Sequence, residues 1–170
     1  METFTYKEIL QQPSCWIKEY EVLLEEKTRI QAFLEKYLTN ETDIVLTGAG
    51  TSAFIGDAIA PLLRGVWKNV RAVATTDIVT NAADYLVADK PLLLISFARS
   101  GNSPESVAAV NLANAICKNV AHIYITCNKN GHLAQSANAE NILSLLLPEE
   151  TDDKSLAMTS SFSTMLLTCL

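Results

Sequence analysis

Five short apolar runs, each separated from the next by a stretch of helical periodicity, constrain this chain more than any other feature. The runs cover residues 43–47, 70–74, 91–97, 122–127 and 141–147, and the helical patterns between them cover 53–63, 77–86, 104–117 and 132–136. A run such as Leu92, Leu93, Leu94 and Ile95 is apolar at every position, so neither of its faces suits water. Strands of this kind belong in a parallel sheet covered by helices on both sides. The alternation therefore predicts an α/β fold, a doubly wound three-layer sandwich around a five-stranded parallel sheet of order 2-1-3-4-5. With 170 residues, 49% of them hydrophobic, the chain is long enough to bury one such core.

Residues 1–40 read as a helical segment packing outside the sheet domain, which takes in 41–170. Thr5 and Glu8 have capping-box spacing, and Pro13 predicts that the helix they start stops before it. A second, long helix is expected from about 14 to 38, with Trp16, Ile17, Tyr20, Leu23, Leu24, Ile30, Phe33, Leu34, Tyr37 and Leu38 at helical spacing and an acidic opposite face. Towards the other end, residues 148–153 form an acidic loop, and Thr159 or Ser160 is placed to cap a helix. That helix ends on Met165, Leu166, Leu167, Thr168, Cys169 and Leu170 without a capping signal, as expected of the first part of a longer protein. Its apolar face and that of the long N-terminal helix are expected to meet another domain or subunit, a dimer being the simplest outcome.

A net charge of -6, with 13 Lys and Arg residues scattered along the chain, argues against a nucleic-acid surface. There is no signal-like start and no apolar run long enough for a bilayer, so no membrane contact is expected and the compartment reads as cytoplasmic. Cys15, Cys117, Cys127 and Cys169 lack paired spacing and sit in apolar stretches, which predicts buried free thiols and not disulfides or a metal site. His122 at a strand start and His132 after Gly131 read as structural or surface residues. No cofactor is implied.

Two hydroxyl-rich loops follow the first and third strands: Thr47-Gly48-Ala49-Gly50-Thr51-Ser52 and Ala98-Arg99-Ser100-Gly101-Asn102-Ser103-Pro104. Glycine lets backbone N–H groups approach a ligand, Ser and Thr add donors, and the positive end of the following helix points at the same place. In the 2-1-3-4-5 order both loops border one crevice, so a phosphate is the expected ligand. Ser103 before Pro104 has the form of an N-cap followed by proline at the first helical position. A rival reading takes Gly48-x-Gly50-x-x-Ala53 as a dinucleotide fingerprint, with Asp77 near the end of the second strand as the ribose-binding acid. It leaves the second loop unexplained. A hydrolase built on Ser100 lacks the G-x-S-x-G elbow.

With Gly50-Thr51-Ser52 and Ser100-Gly101-Asn102-Ser103 in these places, the chain resembles the SIS (sugar isomerase) domain family. The run from Ser96 to Ser106, the strand end Thr126-Cys127-Asn128 and the segment from Glu150 to Phe162 are most similar to its tagatose-6-phosphate ketose/aldose isomerase and galactosamine-6-phosphate deaminase branch. The resemblance implies that Ser52, Ser100 and Ser103 hydrogen-bond a sugar phosphate, that Gly50, Thr51 and the Asn102 backbone complete the nest, and that Leu156, Ala157, Met158 and Thr159 line the sugar. Arg99 stands where aminotransferase relatives carry Gln, and is placed to add charge to the phosphate or to serve the structure. The implied chemistry is ring opening and proton transfer between adjacent carbons, with ammonia released from an amino sugar. Its carboxylate base is implied to come from a second, downstream SIS domain; Glu149, Glu150, Asp152 and Asp153 lie near the site in this reading but read as solvated surface. A phosphosugar sensor without catalysis is the alternative within the same family.

Overall fold

The computed structural model describes residues 3–170. The chain opens with α1, Phe4–Tyr37, and then alternates: β1 Asp43–Gly48, α2 Ala53–Leu63, β2 Val70–Ala72, α3 Thr75–Thr80, α4 Ala82–Tyr85, β3 Leu92–Ala98, α5 Pro104–Ile116, β4 Val120–Thr126, α6 His132–Gln135, β5 Ile142–Leu146 and α7 Ser160–Thr168. All strand pairs are parallel, in the order β2-β1-β3-β4-β5 that the apolar runs predict. Every residue of β1 and β3 is buried. Alternate side chains feed two cores: Ile44, Leu46, Leu93, Ile95 and Phe97 pack with α1, α2 and α7, whereas Val45, Leu92, Leu94 and Ala98 pack with α3 and α5.

The N-terminal segment differs from expectation. It is one helix, not two, and Thr3 caps it by accepting the Tyr6 N–H at 3.3 Å. Glu8 does not close a capping box; it is buried against residues 154 and 155. Proline has no N–H to give to the carbonyl four residues earlier. Here the Gln12 side-chain amide bonds that carbonyl, of Ile9, at 3.0 Å, and the helix runs through Pro13. The expected helix at 77–86 is instead divided at Asn81 (φ -146°, ψ 71°), whose side chain bonds Asp84 and so competes with helical pairing. β2 is short, and Asp77 lies exposed inside α3 and not at a strand end.

Two buried titratable side chains lie on opposite faces of the sheet. Glu19 of α1 is 1% exposed, packed on α7 with the Thr168 hydroxyl 2.8 Å from Oε1 and no partner for Oε2. Burial pushes its carboxyl up to about 7, against the opposing hydrogen bond. On β4, His122 is fully buried with Nε2 2.9 Å from Asn114 Oδ1, and burial pulls it down to about 4. All four cysteines are free, three buried and Cys169 partly so. Among the described residues, no helix is long and apolar enough to cross a membrane.

Candidate functional site

β1 and β3 are neighbours, with Thr47 opposite Ser96 and Gly48 opposite Phe97, and α2 and α5 leave them towards opposite faces. Between their carboxyl ends lies a crevice of about 140 Å³ lined by Ala49, Ser52, Phe97, Ala98, Arg99, Ser100, Ser103, Ser106 and Met158. Five residues singled out from the sequence thus meet in one place: Ser52, Arg99, Ser100, Ser103 and Met158. Gly50, Thr51 and Asn102 are exposed on the loops beside it, while Ala157 and Thr159 do not line it. Both loops turn on left-handed glycines, Gly50 at φ 56° and Gly101 at φ 65°.

The two helices that meet the crevice are capped differently. α2 follows a single 3₁₀ turn at Gly50–Ser52, and no side chain caps it, so its first N–H groups have no side-chain partner. Ser52 is buried with its hydroxyl 3.6 Å from the Met158 sulfur. α5 is capped by Ser103, which accepts the Ser106 N–H at 3.4 Å and donates to Ser106 Oγ at 2.6 Å. Ser100 Oγ accepts the Asn102 N–H at 3.3 Å, which shapes the loop from within.

The turn after β4, which sequence reasoning did not assign a role, braces this second loop. Cys127 N–H and the Thr126 hydroxyl donate to the Arg99 carbonyl, Asn128 Nδ2 to the Ser100 carbonyl at 3.0 Å, Leu133 N–H to the Gly101 carbonyl, and His132 N–H to Asn102 Oδ1 at 2.8 Å. A Cβ on Gly131 would lie 2.3 Å from the Ser100 carbonyl oxygen, so only glycine allows that approach. The signal was Asn128 and Gly131, turn-type residues directly after the strand that neighbours β3.

The acidic loop serves structure at two of its four carboxylates. Asp153 accepts from Thr159 N–H, Ser161 N–H and the Ser160 and Ser161 hydroxyls, so it caps α7 in place of Thr159 or Ser160. Burial alone would raise its carboxyl; these bonds outweigh it and hold the group below the usual carboxylate range. Glu150 is paired with Lys18, which lowers it too. Glu149 and Asp152 line a neighbouring cavity of about 340 Å³ with Asn128, Lys129 and Asn130, at the ends of β4 and β5. A third cavity, about 110 Å³, lies between the sheet and α1, walled by Leu and Ile with no charged group to hold an anion. The dinucleotide alternative loses its acid, since Asp77 sits in α3.

Residues 37–170 match the SIS domain. The chain is 53% identical over 171 residues to D-galactosamine-6-phosphate deaminase AgaS of Escherichia coli, covering 99% of this chain and 44% of that protein. It is 46% identical over 173 residues to D-galactosamine-6-phosphate deaminase AgaS of Shewanella sp., covering 98% and 45%. The crystal structure of tagatose-6-phosphate ketose/aldose isomerase from Escherichia coli superposes with a TM-score of 0.96 at 52% identity, over 99% of this chain and 47% of that one. The chain thus spans less than half the length of these relatives, and they are the branch that the loop residues resemble. By its sheet order and its match over residues 37–170, the chain belongs to the SIS domain family.

Proposed function

We propose that this chain is the phosphosugar-binding part of an enzyme that isomerises or deaminates a hexose or hexosamine 6-phosphate of the tagatose or galactosamine type. The observation that carries this reading is the meeting of two hydroxyl-rich loops, with the uncapped start of α2, at the β1–β3 crevice. In this reading Ser52, Ser100 and the α2 backbone bind the phosphate, and Gly50, Thr51 and Asn102 shape the nest. Ser103 exchanges its bond to Ser106 for one to phosphate, and Arg99 adds charge. Met158, with Ala157 and Thr159 around it, faces the sugar. The proton-transferring carboxylate comes from a second SIS domain, as the resemblance implies; of the acidic-loop carboxylates, Asp153 and Glu150 are already committed to α7 and Lys18. The unit spans 41–170, with 1–40 a helical segment on it, and works in the cytoplasm.

Calorimetry with galactosamine 6-phosphate tests the site. Ser52→Ala and Ser100→Ala are each expected to weaken binding about tenfold, or about 1.4 kcal/mol, with no isomerisation or ammonia release from residues 1–170. Equal affinities in all three proteins would remove the phosphate assignment; clear turnover would place the base within this chain. We propose further that α1 meets a second SIS domain or a second copy. Tyr6, Leu10, Pro13, Ile17, Tyr20 and Leu24 are exposed, alternately four and three residues apart, the spacing of a helix-packing seam. Light scattering should show a dimer, and a stable monomer at high concentration would contradict that.

A further inference from the structure

All the polar main-chain and side-chain groups of Ser155 are taken: within the turn its hydroxyl also donates to the Ala157 carbonyl at 2.8 Å, and two residues from distant parts of the chain make the other bonds. Glu8 of α1, 5% exposed, accepts the Ser155 N–H at 3.1 Å and the Ser155 hydroxyl, and its Oε1 also accepts the Lys154 N–H at 2.6 Å. Arg99, in the loop after β3, donates from Nη1 to the Ser155 carbonyl at 3.1 Å. Just beyond this clamp Leu156 stands 98% exposed, and Met158 reaches the Ser52 hydroxyl. On the far side the chain is fixed again by Asp153. A short turn, pinned at both ends, is thus held out beside the phosphate crevice.

Glu8 is not needed to cap α7, since Asp153 does that, and the hydrogen bonds it makes go to Lys154 and Ser155 alone among the described residues. Burying a carboxylate is costly unless its acceptor sites are used, and here three donors use them. We infer that Glu8 is a positioning residue for ligand recognition: by fixing Ser155 against Arg99 it sets the 156–158 turn, and so governs affinity for the sugar and not for the phosphate. This rests on the phosphosugar reading above. Neither Glu8 nor Ser155 lines the phosphate crevice; of the residues that do, Arg99 is tied to Ser155 only through a backbone carbonyl, which Glu8→Gln and Ser155→Ala both keep, so the phosphate part of the site is disturbed less than the turn.

The test compares galactosamine 6-phosphate with inorganic phosphate as calorimetric ligands of the 170-residue chain. Glu8→Gln keeps one acceptor for the N–H groups but faces the Ser155 hydroxyl without charge. It is expected to lose at least tenfold in sugar-phosphate affinity while binding inorganic phosphate within about twofold of wild type. Ser155→Ala, which retains the backbone bonds, should lose about threefold in the first and nothing in the second. Should Glu8→Gln fail to fold, Ser155→Ala decides alone by the same ratio. Wild-type affinity for the sugar phosphate in the variants overturns the positioning role and leaves the phosphosugar reading standing. Parallel loss of both ligands overturns it as well, because Glu8 then acts through general stability. A wild-type chain that binds neither ligand ends the phosphosugar reading and this inference with it.

Discussion

The loop after β3 receives five hydrogen bonds from the turn after β4, whereas the loop after β1 is joined to its surroundings by little more than the Ser52 contact with Met158. Both carry glycine at positive φ and both lead into a helix, so they look equivalent in the sequence. Their difference teaches where rigidity in the crevice comes from: a βα loop becomes a fixed template when the next strand along the sheet supplies a turn to hold it. β3 has such a neighbour in β4. On the β1 side the following strand, β2, has three residues and leads directly into α3, with no comparable turn.

The most severe way to break this contrast is Gly131→Ala. Its Cβ would push on the Ser100 carbonyl from 2.3 Å, and overpacking against backbone costs about 3 kcal/mol. Phosphosugar affinity should fall at least tenfold with it. Gly50→Ala, on the other loop, meets nothing within 4 Å and bears only the left-handed backbone penalty of about 1 to 2 kcal/mol. Chemical denaturation of both variants, followed by calorimetry, compares them; equal losses in the two loops would abolish the distinction.

A second measurement carries the contrast into the helical layers behind the loops. Glu19, on the side of α1 and α7, is raised from 4.5 to about 7, so its stabilising share is complete below pH 4.5 and disappears as pH rises to about 7, a change of about 3 kcal/mol. His122, on the side of α5, is lowered from 6.5 to about 4, so its share is complete above pH 6.5 and is lost as pH falls towards 4. The two oppose each other across the same window. Glu19→Gln should expose the His122 trend, with urea midpoints higher at pH 7 than at pH 5; an unchanged wild-type profile would refute the Glu19 assignment. The mildest perturbation is Asn102→Ala, which removes the acceptor for His132 N–H. It should cost about 1 kcal/mol by denaturation, and no measurable change would mean that the brace rests on the other four bonds.

The strand order and the identity of the two loops were legible because apolar runs and Gly/Ser clusters are local signals. Ser103 as the cap of α5 was readable for the same reason. What was not legible depends on partners far along the chain. Glu8 looked like half of a capping box until residues 154 and 155, nearly 150 positions away, claimed it. Asp153 looked like solvated acid until α7 folded back over it. Pro13 misled for a different reason: its penalty is real, but the preceding Gln12 carries its own replacement donor, a compensation that residue type alone does not announce.

That replacement has a mechanical consequence. An unbroken helix of 34 residues is a rod about 51 Å long. One end holds Ser155 through Glu8; near the other, the Phe33 and Tyr37 rings meet at a tilt of 47° with centroids 4.8 Å apart and pack on the sheet. A hinge at Pro13 would have let these ends move separately. Without it, Glu8 beside the crevice rim and Phe33 on the sheet core sit on one continuous helix, so the position of the rim contact is fixed by the same element that packs on the core.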